Sequence, residues 1–122
     1  MIRRKLRILG SSALLLALLL PGCVKIDTLP QLEILVLEQN DAFVSGAYVA
    51  LFESVDEWNN RSNPAQVWRN TDAEGKVLFV DLKEIDYFIY VRYDGKDNSL
   101  GEMSTDKPLK MNQRDKIIIH IR

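Results

Sequence analysis

The side chains that could carry chemistry in this sequence are one cysteine, one histidine and several pairs of acidic residues. Cys23 is the single cysteine, so the chain cannot form an internal disulfide. His120 is the single histidine and stands between two isoleucines near the C-terminus. A zinc site or a hydrolytic triad would need other histidine, cysteine or carboxylate side chains to converge on it. We therefore expect His120 to be an exposed strand residue without a catalytic role.

Acidic pairs are the second candidate for chemistry, because two facing carboxylates can hydrolyse a glycosidic bond. The pairs are Asp56 with Glu57, Asp72 with Glu74, Glu84 with Asp86, and Asp94 with Asp97. Each pair lies in a polar stretch that is typical of turns. We interpret Asp72 to Gly75 as a tight turn in which Asp72 accepts backbone N–H bonds and Gly75 adopts a positive φ. Two carboxylates are too few for calcium, which takes roughly six or more oxygen ligands, so we expect no metal site. Because the acidic pairs lie in turns and the single histidine has no partner in the sequence, we also expect no cofactor and no enzyme activity.

The first 22 residues have the organisation of a secretory signal. Four basic residues and no acidic residue open the chain, an apolar stretch runs from Ile8 to Leu20, and Pro21-Gly22-Cys23 follows. This order predicts a signal helix, residues 1–22, that is cleaved after Gly22. The apolar stretch is shorter than the roughly 20 residues of a membrane-spanning helix, and proline and glycine end it. A retained anchor is the less favoured interpretation.

A resemblance adds a modification to this signal. Leu20-Pro21-Gly22-Cys23 resembles the lipobox of bacterial lipoproteins, although Pro21 replaces the small or hydroxylated residue usual there. The resemblance implies cleavage between Gly22 and Cys23, a diacylglycerol thioether on Cys23, and usually a further acyl chain of the palmitate kind on its amino group. Val24 is not the Asp that marks inner-membrane retention in some bacteria. The expected location is therefore the outer membrane, on its periplasmic or its surface side.

The charge left after cleavage limits the classes of partner. The signal holds four of the 16 basic residues and none of the 17 acidic ones, so the mature part has 12 basic and 17 acidic residues and a net charge of −5. Nucleic acid and anionic lipid headgroups both require a basic surface, so we expect neither as a partner of the protein surface, and we expect the lipid alone to hold the protein on the membrane. Residues 23–30 form the lipidated N-terminus and a short tether. The seven residues Val24–Pro30 reach at most about 23 Å, which keeps the following domain close to its bilayer.

Residues 31–122 have the alternation of a β-rich domain. Five segments alternate with period two and are rich in β-branched and aromatic residues, which is the signal of strands. They are residues 32–37, 47–52, 77–80, 87–93 and 117–121, with weaker candidates at 65–71 and 100–104. Glu53–Asn60 is expected to be a loop with one helical turn, capped by Ser54. About seven short strands in this length predict an all-β sandwich.

Three motifs resemble the carboxypeptidase-regulatory-like family, which has a transthyretin-like (prealbumin-like) sandwich. They are Ser45-Gly46-Ala47-Tyr48-Val49-Ala50-Leu51-Phe52, then Thr71-Asp72-Ala73-Glu74-Gly75-Lys76-Val77-Leu78-Phe79, then Tyr87-Phe88-Ile89-Tyr90-Val91. The resemblance spans most of Gln31–Val91 and weakens afterwards. It implies a Greek-key β-sandwich of the kind found in bacterial surface and periplasmic proteins.

Two surfaces are candidates for binding. Trp58 lies in a polar loop where no strand requires it, so it could form a platform for sugar rings, or cover one end of the core. Period two also points several apolar residues away from the core: Leu35, Leu37, Phe88, Tyr90 and Ile118. We expect these to form a docking patch if their strands are neighbours, unless the chain's own loops cover them.

Together these features predict a non-catalytic lipoprotein of the cell envelope. The lipid on Cys23 anchors the protein to the membrane, and the sandwich acts as an interaction or structural module for another envelope protein or a glycan. A small carbohydrate-binding surface lipoprotein, and an adhesin or fibre subunit joined by strand exchange, are the alternatives.

Overall fold

The computed structural model describes residues 26–122. The signal helix, the cleavage point at Gly22 and the lipidation residue Cys23 lie outside the described residues. Seven strands and one α-helix occur in the described part. They are β1 (Gln31–Leu37), β2 (Tyr48–Phe52), α1 (Val55–Asn60), β3 (Arg69–Asn70), β4 (Lys76–Phe79), β5 (Phe88–Tyr93), β6 (Lys96–Asp97) and β7 (Arg114–His120). In residues 26–122, no helix has the length and apolar character needed to span a membrane.

The strands form two sheets. The three-stranded sheet has the order β4-β1-β7, and the four-stranded sheet has the order β3-β2-β5-β6. β7 runs parallel to β1, while the other strand pairs are antiparallel. This architecture confirms the all-β expectation, with two sheets that together resemble a sandwich.

The core lies between the two sheets and follows from the alternation in the sequence. Inward residues from both sheets form one apolar cluster, in which Ile34, Val49 and Ile89 are fully buried. Alternation predicts nine inward residues, of which eight are buried and Ile117 is half-buried at the edge of the cluster. The buried ones are Leu32, Ile34, Val36, Tyr87, Ile89, Val91, Ile119 and Ile121. The removal of these side chains from water is the main favourable contribution to folding.

The weaker segments differ from the expectation. The strand expected at 65–71 is reduced to Arg69–Asn70, and Leu100–Ser104 contributes one bridge, between Ser104 and Phe88. β6 was not expected as a strand. It arises because Asp94 and Gly95 both adopt positive φ and close a two-residue hairpin, a turn for which Asp-Gly is favoured.

Helix α1 forms where one helical turn was expected. The Ser54 hydroxyl accepts a hydrogen bond from the Glu57 N–H at 3.2 Å, which caps the first turn. Arg61 ends the helix in the left-handed conformation with φ 51°. The helix packs against β2 and β5 and so lies over the outer face of the four-stranded sheet.

Candidate functional site

The outer face of the four-stranded sheet carries a concentration of aromatic and arginine side chains. Val49 and Val91 point into the core and are fully buried, so Tyr48, Tyr90 and Arg92 point to the opposite face. In the register of β2 and β5, Tyr48 is opposite Arg92 and Ala50 is opposite Tyr90. The alternation of two adjacent strands therefore places these three side chains together.

The aromatic rings of this face contact one another. The Tyr48 ring centroid lies 4.8 Å from that of Trp68 with the planes tilted by 32°. It lies 6.2 Å from that of Tyr90 in an edge-to-face arrangement. Both separations are in the range in which aromatic pairs attract. Trp68, which precedes β3, is 46% exposed and is the most open ring of the three.

Two arginines stack on these rings. The Arg61 guanidinium lies 3.6 Å from the Tyr90 centroid and 4.6 Å from the Trp58 centroid, and that of Arg92 lies 4.9 Å from the Tyr48 centroid. A stacked guanidinium keeps the N–H donors of its edge for an additional partner. In the described part of the chain, neither Arg61 nor Arg92 forms a salt bridge. We call Trp58, Arg61, Trp68, Tyr48, Tyr90 and Arg92 the aromatic–arginine face.

An acidic residue borders this face without neutralising it. Hydrogen bonds from the hydroxyl and N–H groups of Ser99 lower the pKa of Asp97, and the charge of Arg61 makes a smaller contribution in the same direction. Asp97 is opposite Arg92 in the register of β5 and β6. Its carboxylate accepts hydrogen bonds from Ser99 in its own turn. The Arg92 guanidinium, and the N–H groups of Arg61 that are not bonded to the Trp58 carbonyl, remain available to an anionic or hydroxyl-rich ligand.

Trp58 does not have the open ring face that a platform for sugar rings requires. Its indole N–H donates a 2.8 Å hydrogen bond to the carbonyl of Ile89, which fixes α1 on β5. Arg61 also donates to the Trp58 carbonyl and stacks on its ring. Ala50, which points outward beneath this region, is only 1% exposed. Trp58 is thus half-buried and covers part of the sheet, while Trp68 offers the more open ring.

The five residues expected to form one docking patch do not share a face. Leu35, Leu37 and Ile118 belong to the three-stranded sheet, whereas Phe88 and Tyr90 belong to the four-stranded sheet. The expectation of a single patch is corrected because their strands are not neighbours. Two members are also covered: Leu37 is 7% exposed and bridges to Phe43, and Tyr90 lies under Arg61.

His120 has two acidic neighbours that the sequence did not predict. Its Nε2 lies 2.9 Å from Oδ1 of Asp41, and its Nδ1 lies 3.3 Å from Oε2 of Glu102. The His120 backbone N–H also donates to Glu102 at 2.9 Å. Hydrogen bonding to Asp41 and then to Glu102 raises the pKa of His120. The imidazole is half-buried rather than freely exposed, and both of its nitrogens are engaged.

The Asp72–Gly75 segment has the geometry of a tight turn. Oδ1 of Asp72 accepts hydrogen bonds from the N–H groups of Glu74 at 2.8 Å and Lys76 at 3.0 Å. These bonds, the one from Lys76 first, lower the pKa of Asp72. Gly75 has φ 77°. Within residues 26–122, no group of three or more histidine, cysteine or acidic side chains has a geometry that could hold a metal ion.

Comparison with known proteins adds no family. No protein-family model matches the sequence, and no curated protein matches it.

The aromatic–arginine face could be predicted only in part from the sequence. Alternation could have grouped Tyr48, Tyr90 and Arg92, but the positions of Trp68 and Arg61 depend on how two loops fold back on the sheet.

Proposed function

We propose that this protein is a lipid-anchored lipoprotein of the cell envelope whose transthyretin-like sandwich is a non-catalytic binding module. The aromatic–arginine face is the observation that carries the binding role. Stacked aromatic and guanidinium groups present large, rigid contact area together with directed N–H donors, a composition enriched where proteins bind partners. In His120, each ring nitrogen lies within hydrogen-bond distance of a carboxylate oxygen. This arrangement supports the non-catalytic part of the proposal.

The strand connections support the Greek-key part of this proposal. The chain changes sheet between β1 and β2, and the first strand is flanked by the fourth and the seventh. Such non-sequential neighbours are typical of Greek-key sandwiches. The proposed location is the outer membrane. The residue after Cys23 is Val24, and not the Asp that marks inner-membrane retention in some bacteria.

Photo-crosslinking in bacteria tests the binding role. A photoreactive residue in place of Val67, which is 80% exposed beside Trp68, would report on the face. The same residue in place of Leu100, 75% exposed on a loop after β6, is the matched control. We expect an adduct from position 67 that disappears in Arg61→Ala/Arg92→Ala and no equivalent adduct from position 100. Equal adducts from both positions, or an adduct that survives the double substitution, would contradict the proposal.

Carbohydrate binding is a second candidate, favoured by the contact between Trp68 and Tyr48. An open indole ring can stack on the apolar face of a sugar, and the adjacent guanidinium edges can donate to its hydroxyl or acidic groups. A glycan array should then show binding that Trp68→Ala removes. Tyr93→Ala is the control, because Tyr93 is also exposed, at 37%, but points to the other side of β5 from Tyr90 and Arg92. Absence of binding by the unmodified protein, or equal loss in both variants, would exclude this candidate.

A further inference from the structure

The outer face of the three-stranded sheet combines apolar and basic side chains. Because Ile34, Val77 and Ile119 are buried in the core, alternation along their strands points a set of exposed or half-buried apolar and charged residues outward from this sheet. They are Leu35, Leu78 and Ile118, with Lys76, Arg114, Lys116 and Glu33. Leu35 lies between Lys76 and Ile118 in the register, and Glu33 lies between Leu78 and Lys116. Ile118, on the edge strand β7, is 50% exposed.

The charge of this face is opposite to that of the mature chain. Three of its four charged strand residues are basic, and the fourth, Glu33, lies 3.9 Å from the guanidinium of Arg114. Asp72, in the turn before β4, borders the same part of the face beside Lys76 and Arg114. The mature chain, in contrast, has five more acidic than basic residues. Acidic groups gather at the far end of the face, where His120 lies between Asp41 and Glu102. Arg114 and Lys116 lie in the half in which β1 and β7 begin, and Lys76 lies opposite Leu35, just past the middle of β1.

The N-terminal tether arrives at that same half. The Thr28 N–H donates to Oδ1 of Asn112 at 2.7 Å, and the Asn112 N–H donates to the Thr28 carbonyl at 2.7 Å, which ties the segment before β1 to the turn before β7. Along this segment, Ile26 is 84% and Leu29 is 45% exposed. The chain that leads back to Cys23 thus leaves from the end of the three-stranded sheet with two apolar side chains uncovered.

We propose that the outer face of the three-stranded sheet lies against the anionic bilayer that holds the lipid anchor. This inference rests on the lipid anchor of the proposed function. Lysine and arginine are attracted to anionic headgroups, and apolar side chains between them can enter the interface. The short tether keeps the face within reach of the membrane. With this face on the bilayer, α1 and the stacked Arg61 and Tyr90 lie on the opposite side of the sandwich, while Trp68 borders a pocket that it shares with Leu78.

Site-specific fluorescence quenching on vesicles tests this orientation. The full lipidated protein is used, and since the thiol of Cys23 carries the lipid, an introduced cysteine is its single reactive thiol. Ile118→Cys labels the proposed contact, and Asn59→Cys labels the exposed surface of α1 on the opposite side. The vesicles contain phosphatidylglycerol and a lipid with a nitroxide headgroup. We expect quenching at position 118 and little at position 59, with weaker quenching at 118 in phosphatidylcholine alone.

Charge reversal provides the matched comparison. Lys76→Glu and Lys116→Glu should each weaken docking at least about fivefold, while Lys110→Glu, the same change of charge at an exposed lysine outside this face, should leave the quenching at 118 unchanged. Flotation with the vesicles reports on the anchor separately. Protein that floats but shows no quenching at 118, equal quenching at 118 and 59, or sensitivity to Lys110→Glu but not to Lys76→Glu or Lys116→Glu would overturn the orientation alone. Protein that fails to float would overturn the lipid anchor and this inference with it.

Discussion

His120 and Asp41 join the end of β7 to the turn after β1, with Nε2 of the histidine 2.9 Å from Oδ1 of the aspartate. On the other side of the ring, Nδ1 lies 3.3 Å from Oε2 of Glu102. A neutral imidazole has one N–H and can donate to only one of these carboxylates, whereas an imidazolium donates to both. The contact therefore links three segments of the chain most strongly when His120 is protonated.

The stability of the fold should depend on pH through this contact. The pKa of His120 is raised, first by the hydrogen bond to Asp41 and then by that to Glu102. The resulting stabilisation is fully present below the ordinary histidine pKa of about 6.5 and is lost as the pH rises through the raised value. Urea unfolding midpoints should fall across that window for the unmodified protein. His120→Asn should remove this part of the pH profile, and an identical profile in both proteins would contradict the assignment.

The turn at Gly75 should be far less tolerant of a side chain than the turn at Gly95. Both glycines have nearly the same φ, 77° and 78°, so a Cβ is strained at either position. At Gly75 the added Cβ would also lie 2.8 Å from the Val36 carbonyl, whereas at Gly95 nothing lies within 4 Å. We expect Gly95→Ala to lower the free energy of unfolding by about 1 kcal/mol and Gly75→Ala by roughly 2–3 kcal/mol or more. Equal losses in chemical denaturation would show that the close approach is absent.

Asn98 should be essential to the fold although it directly follows Asp94–Asp97, a polar stretch that is typical of turns. It is fully buried, where its Oδ1 accepts from the Val91 N–H at 2.9 Å and its Nδ2 donates to the carbonyls of Ile89 and Glu102, each at 2.8 Å. Asn98→Ala removes the partner of the Val91 N–H and one partner of the Glu102 carbonyl, while the Ile89 carbonyl keeps its hydrogen bond from Trp58. The cost is about 1–3 kcal/mol for each group that is left unpaired and that water cannot reach. Thermal unfolding should show a large loss for this variant and almost none for Asn59→Ala on the exposed surface of α1. A loss below about 0.5 kcal/mol, the usual range for surface substitutions, would contradict the prediction.

Sequence reasoning succeeded where a local rule decides the outcome. Alternation alone separates Ile34 and Val91 in the core from Tyr48 and Arg92 outside it, because period two leaves no other choice within a strand. The cap at Ser54 and the turn geometry at Asp72 likewise depend on a few consecutive residues. Each of these features is determined by a short stretch of consecutive residues.

Features that join distant segments were not predictable in the same way. Ile118 and Phe88 lie in different sheets because of which strands pair, and alternation does not determine strand pairing. Glu102 reaches His120, and Arg61 reaches Tyr90, only because loops return to the sheets. The buried role of Asn98 was hidden for the same reason, since asparagine is also a common turn residue.

The N-terminus of the mature protein is the most direct test of the central claim that this is a lipid-anchored envelope protein. Intact mass spectrometry of protein purified from bacterial membranes, with fragmentation of the first residues, should give a chain that begins at Cys23 and carries a diacylglycerol group, with or without an amide-linked acyl chain. The Cys23→Ser variant should retain residues 1–22 and lose the lipid mass. A mature chain that begins at another residue, or that begins at Cys23 with a free thiol, would contradict the account.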